Sequence, residues 1–231
     1  MSIQPNSEFS KAQWQFLAAI HALGPSVSIN IIGALAPLQP GPLFDLLNRS
    51  KKLGWVIQHG DDRFTIGENL PTAVQEKLSE MSTTQRLATL LEKLKELKLE
   101  DAVPPLSMSR LLEINGQGLE AGQIRMDLAE QALTQNKLDS AWHHLKRALD
   151  CFSKCPDQQS CQAPFVDTVI RLATVSATLM KGFTELSENL QRAIEISTKL
   201  GDRRSHALLY LHMGMSPRES RKLKTWAMTT Y

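Results

Sequence analysis

Apolar residues recur at three- and four-residue steps along most of this chain, the spacing of amphipathic helices. Ser10 with Gln13 three positions later forms a capping box, flanked by Phe9 and Trp14 at the staple positions. Trp14, Leu17, Ala18 and His21 then predict one buried helical face, ended by Gly24-Pro25. A second apolar helix is expected over Val27 to Leu38, closed by Pro37 and Pro40. A third begins near Pro42, carries Leu43, Leu46 and Leu47 on one face, and is capped by Gly54. The pattern changes only after that, where Trp55 to Gln58 and Arg63 to Ile66 flank a turn at His59-Gly60-Asp61-Asp62 and predict a β-hairpin.

Three helices followed by a hairpin is the order of a winged helix. Leu-Gly-Trp-Val (53–56) and Gly-Asp-Asp-Arg-Phe-Thr-Ile (60–66) resemble the wing of the winged-helix modules in multidomain bacterial signal-transduction ATPases and transcription regulators of the STAND type. The likeness covers about a third of the chain and implies a winged-helix-like domain over residues 1–80. A winged helix raises the question of DNA, with Arg49, Lys51 and Lys52 in the major groove and Arg63 on phosphate. The charge argues against it. Residues 1–80 hold six basic against seven acidic side chains, a net of −1, and Asp61 and Asp62 sit at the wing tip. Phosphate binding depends on cations that release counterions, so this module is expected to be structural or protein-contacting.

Residues 81–118 read as a helical connector. Ser82 and Gln85 form a second capping box, and Leu87, Leu90, Leu91 and Leu94 make an amphipathic helix expected to pack on its own domain. Val103-Pro104-Pro105 breaks it and marks the expected domain boundary, a short helix follows over Ser107 to Ile114, and Gly116 and Gly118 mark a second break.

Residues 119–215 carry an internal repeat. Leu128-Ala129, Ala132, Ala141, Leu145 and Ala148 place small residues where two helices cross, around a turn at Asn136 to Asp139. A second copy has Ala173-Thr174 and Ala177, then Leu186, Leu190 and Ala193; Leu200-Gly201-Asp202-Arg203-Arg204 opens a third, with Tyr210, Met213 and Gly214. Ala129, Ala141 and Ala148, with the Leu-Gly-Asp-Arg-Arg run, resemble tetratricopeptide repeats in the sensor regions of those same ATPases. The spacing from Ala148 to Ala193 exceeds that family's period, so Cys151 to Pro164 is expected to be an enlarged loop. The resemblance implies a groove walled by the first helix of each pair. Its partner-facing residues are expected to be Gln123, Met126, Glu130 and Thr134, then Thr168, Arg171, Val175 and Thr178.

The third copy stops at Ser216-Pro217, and residues 216–231 form a basic tail of net +3. An array halted mid-repeat is expected to be a truncated relic of a larger regulator, or to bury its last face on a partner or a second copy.

The fold class expected is therefore mainly α: a winged-helix-like domain, then a short tetratricopeptide-like α-hairpin array. Composition refines the function. A net charge of +2 gives no global field for nucleic acid or membrane, and no apolar run spans a bilayer. The first ten residues do not read as a signal peptide, which points to the cytoplasm. Cys151, Cys155 and Cys161 are then expected as reduced thiols, because C-x3-C-x5-C is not a usual zinc spacing. The G-x-x-x-x-G-K-[ST], G-x-S-x-G and H-E-x-x-H motifs are absent, and the six histidines show no recurring ligand spacing. The expectation is a non-catalytic protein-interaction or scaffold module of a signalling system, without cofactor or metal. Its partner would be another protein or a second copy of itself. A DNA-binding regulator is the alternative.

Overall fold

The structure is a computed structural model that describes residues 9–24, 26–35, 38–81, 84–155 and 157–215. The chain is mainly helical and divides into two units, Met1–Asn115 and Gly116–Tyr231.

In the first unit, helix α1 (Lys11–Leu23) begins at the expected capping box: Ser10 Oγ accepts from the Gln13 N–H at 3.3 Å, and Gln13 Oε1 accepts from the Ser10 N–H at 2.8 Å. Phe9, Trp14 and Trp55 cluster with ring centroids 5.5 to 6.1 Å apart, tying the start of this helix to the residue before the hairpin. The helix is buried on more sides than one stripe requires, with Phe16, Ile20 and Leu23 as enclosed as Leu17. His21, expected on the buried face, is exposed instead.

The expected helix from Val27 to Leu38 is replaced by two elements. Val27–Ser28 forms strand β1, and helix α2 spans only Ile29–Leu35. The β-branched Val27 pairs with Phe64 and buries fully, and this sheet edge competes successfully with helix propagation. The expected closing residue Pro37 lies outside the described residues. Helix α3 (Pro40–Lys52) follows, and Gly54 takes the positive φ of 70° that ends it. Strands β2 (Val56–His59) and β3 (Arg63–Ile66) make the expected hairpin, within a three-stranded antiparallel sheet ordered β1-β3-β2.

Helix α4 (Thr72–Met81) packs on α1, and α5 (Thr84–Glu96) packs on α6 (Pro105–Ile114). Leu87, Leu91 and Leu94 of α5 are buried in this unit, as their spacing predicts. The capping box assigned to Ser82 and Gln85 lies outside the described residues. The Val103-Pro104-Pro105 break falls within the first unit.

The second unit is a run of helices: α7 (Gly118–Thr134), α8 (Leu138–Ser153), α9 (Gln158–Leu179), α10 (Phe183–Leu200) and α11 (Arg203–Met215). Each packs against its neighbour in sequence, and α9 also touches α7 and α11. Most of the alanines and leucines assigned to the crossings are in the core: Ala129, Ala132, Ala141, Leu145, Ala148, Ala173, Leu186, Leu190 and Ala193 are buried, while Leu128 and Ala177 are half-buried. The tightest approach lies elsewhere. A Cβ on Gly122 would meet the Phe152 ring, and one on Gly118 would lie 2.7 Å from the Cys151 carbonyl oxygen.

Cys151 to Pro164 is not the enlarged loop that the repeat spacing suggested. Helix α8 runs through Cys151 to Ser153 and α9 resumes at Gln158, so the extra residues lengthen helices. Asp157 caps α9, accepting from the N–H groups of Gln159 at 3.2 Å and Ser160 at 3.4 Å and from the Ser160 hydroxyl. Cys161, Phe165 and Val169 then bury at four-residue steps, which sustains the helix across Pro164. Cys155 and Cys161, expected as reduced thiols, form a disulfide with Cα atoms 6.6 Å apart; Cys151 is free and buried. The short connection between α8 and α9 turns both side chains into the same buried corner. Among the described residues no helix is long and apolar enough to cross a membrane.

Candidate functional site

Helices α7 and α9 run side by side, in contact through Thr168 Oγ1, which lies 3.1 Å from Met126 Sδ and donates to the Pro164 carbonyl at 2.7 Å. Above that contact opens a cavity of about 520 Å³ lined by Gln123, Met126, Asp127, Glu130, Ala163, Pro164, Asp167 and Arg171. Its apolar lining is the buried Met126, the half-buried Pro164 and the exposed Ala163. Its rim is polar.

The rim is organised by Arg171. Its Nε donates to Asp167 Oδ2 at 2.9 Å, one turn earlier on α9, and its Nη1 donates across to Glu130 on α7. Partial burial works against the charge of this guanidinium, but the two carboxylates outweigh that cost and hold its pKa above the ordinary value. Gln123 Nε2 donates to Asp127 Oδ1 at 3.3 Å, one turn along the same face of α7. Farther along α9, Thr174 Oγ1 lies 3.3 Å from His212 Nε2 on α11, and burial lowers the His212 pKa.

Four of the eight residues expected to face a partner therefore line one cavity: Gln123, Met126, Glu130 and Arg171. Thr134 and Thr178 are exposed on the same two helices outside it. Thr168 and Val175 are a correction. Both are buried, Thr168 at 0% and Val175 at 4% exposure, beneath the surface that the repeat alignment assigned to them. Ala163, Pro164 and Asp167 were missed because the assumed loop hid the first turns of α9, and Asp127 on α7 was missed as well. The buried stripe of Cys161, Phe165 and Val169 and the i, i+4 pair of Asp167 with Arg171 were the signals in the sequence.

The four residues considered for DNA are all exposed, and two of them have partners within the unit. Arg49 stacks over the Phe9 ring, 5.2 Å from its centroid, and Lys51 donates to Gln58 Oε1 at 2.9 Å. Lys52 and Arg63 are exposed. Of the two acids placed at the wing tip, Asp62 is drawn back: its carboxylate accepts from Ser28 Oγ at 3.0 Å. A second cavity in this unit, of about 400 Å³, is lined by His21, Gln75, Ser79 and Arg110 among others. The partial desolvation of this otherwise exposed ring, and then Arg110, lower the His21 pKa. Among the described residues, no group of three or more His, Cys, Asp or Glu side chains is placed to hold a metal ion.

The fold thus defines a class, a mainly helical chain with a run of packed helix hairpins. No family model matches the chain, and no curated protein matches it. Among solved structures it is similar to a signal transduction ATPase with numerous domains (STAND) with a tetratricopeptide repeat sensor, from Pyrococcus horikoshii, at 10% sequence identity and a TM-score of 0.22. That likeness covers 91% of this chain, which spans 45% of the length of the other.

Proposed function

We propose that this chain is a non-catalytic protein-interaction module of a signalling system, holding its partner in the groove between α7 and α9. The observation that carries the reading is the cavity itself: it is lined by apolar Met126, Ala163 and Pro164 together with charged side chains, a combination that lets a groove hold an apolar side chain while polar groups fix its register. In this reading the paired helices are tetratricopeptide-like, with α7, α9 and α11 as the first helices that wall the groove.

The first unit is read as winged-helix-like, since a helix, a strand, two helices and a hairpin follow one another around a three-stranded sheet. Its cations favour a structural or protein-contacting role over DNA reading. Lys51 and Arg49 are already engaged within the unit, and each phosphate contact needs a cation to spare.

The test is affinity capture from native cytosol in the presence of nuclease, comparing the wild-type chain with Ala163→Trp, which fills the groove. Protein partners recovered by the first and lost by the second support the groove. Partners held equally by both place the interaction elsewhere, and recovery of nucleic acid alone without nuclease returns the function to the winged helix.

A further inference from the structure

Among the described residues, the groove is lined by three carboxylates, Asp127, Glu130 and Asp167, and one cation, Arg171. That cation is already committed, because its guanidinium bonds both Asp167 and Glu130. A carboxylate has room for about four hydrogen bonds, so these two retain free acceptor positions after Arg171 is served. Asp127 contributes a third carboxylate, with an amide from Gln123 as its partner. The local charge is −2 in a chain whose overall charge is +2. Low-dielectric walls concentrate such a field, so the groove attracts cations where the molecule as a whole does not.

We infer that the occupant of this groove is a basic, extended segment of another protein, one that places a Lys or Arg side chain among Asp127, Glu130 and Asp167. The inference rests on the groove reading above and adds the chemistry of the partner. A long basic side chain fits both layers of the site. Its aliphatic stem lies along Met126, Ala163 and Pro164, and its charged end reaches the carboxylates. An acidic segment or a phosphate backbone meets three like charges here, and Arg171, the cation placed to receive it, is already paired with Asp167 and Glu130. The same rim that selects a basic segment therefore rejects nucleic acid.

A random dodecapeptide library displayed on phage, selected against the full chain, tests this. Three chains are compared: wild type, Ala163→Trp, and the triple variant Asp127→Asn, Glu130→Gln, Asp167→Asn; circular dichroism melts check that all are folded. The expected result is enrichment of Lys and Arg on the wild type. The selected peptides should lose affinity at least ~10-fold on the triple variant, and the loss should shrink as salt rises from ~0.05 to ~0.5 M. Peptides that are neutral or acidic yet still fail on Ala163→Trp overturn the charge inference and leave the groove standing. Peptides that bind all three chains equally overturn both.

Discussion

Arg171 on α9 bonds Glu130 on α7 and Asp167 on its own helix at the same time, so the cation that lines the groove among the described residues joins its two walls. The pair is partly solvated, with side-chain exposures of 41% for Arg171 and 58% for Glu130. Exposed ion pairs of this kind contribute little to stability, in the range of about 0–1 kcal/mol. Arg171→Gln is therefore expected to shift the denaturant midpoint only slightly while leaving three uncompensated acids in the groove. The same substitution should strengthen binding of a Lys- or Arg-bearing peptide. A large loss of stability would show that the cluster is a strut of the fold.

Gly122 marks the closest approach of α7 to α8, because a Cβ there would meet the Phe152 ring, which is itself buried at 2% exposure. Gly122→Ala gains helix propensity but overpacks this contact, and a net cost of about 1–3 kcal/mol is expected in urea unfolding. Pairing it with Phe152→Leu should return part of that cost, since the smaller side chain clears the added methyl. Equal and additive losses in the two single variants would place the strain elsewhere.

The His144 imidazole is held below its ordinary value, first by burial and then by the nearby Arg125 and His143. On acidification the unfolded chain takes up this proton first, so the native state loses stability as pH falls below about 6.5, the ordinary histidine value. The contribution is complete above that value and is lost as pH drops through the lower native one. His212 acts in the same direction, through burial. The free energy of unfolding should fall between pH 7.5 and pH 5.5, and His144→Gln should flatten part of that slope. An NMR titration of His144 with a midpoint at or above the ordinary value would contradict the assignment.

The Cys155–Cys161 bridge predicts a specific thiol count. The chain has three cysteines, so the oxidised, denatured protein should show one reactive thiol, Cys151, and three after reduction. Closing a loop this short restricts the unfolded chain by about 2 kcal/mol in the loop-entropy account. Reduction, or Cys161→Ser, should lower stability by that order. Three reactive thiols under oxidising conditions would remove the bridge.

Helix formation in both units could be read from side-chain periodicity, because a helix registers burial every three or four residues along its own sequence. Ser10 and Gln13, Leu87, Leu91 and Leu94 of α5, and the alanines of α7, α8 and α10 behave as their spacing demands, while Leu90 is only half-buried. What depends on a distant partner was not legible. The strand at Val27-Ser28 exists because Phe64 and Arg63 come back to pair with it, and two residues carry no period. The first half of α9 was hidden for another reason: Pro164 and two cysteines imitate a loop, while the cap at Asp157 and the buried stripe from Cys161 act against that appearance. Three of the eight groove residues, Ala163, Pro164 and Asp167, were lost with it, while Thr168 and Val175 were assigned to the surface.

The succession of neighbouring contacts in the second unit also sets its folding clock. Helix α7 finds α8 across a three-residue turn, and each later helix meets a partner no more than two helices back. Assembly from such local pairs needs little loop closure, and folds of this kind form in microseconds to milliseconds. The first unit must instead hold Val27 until Phe64 arrives, 37 positions later, before its sheet can close. After dilution of the full chain from denaturant, the helical hairpins should be in place while the first unit is still searching for its last strand.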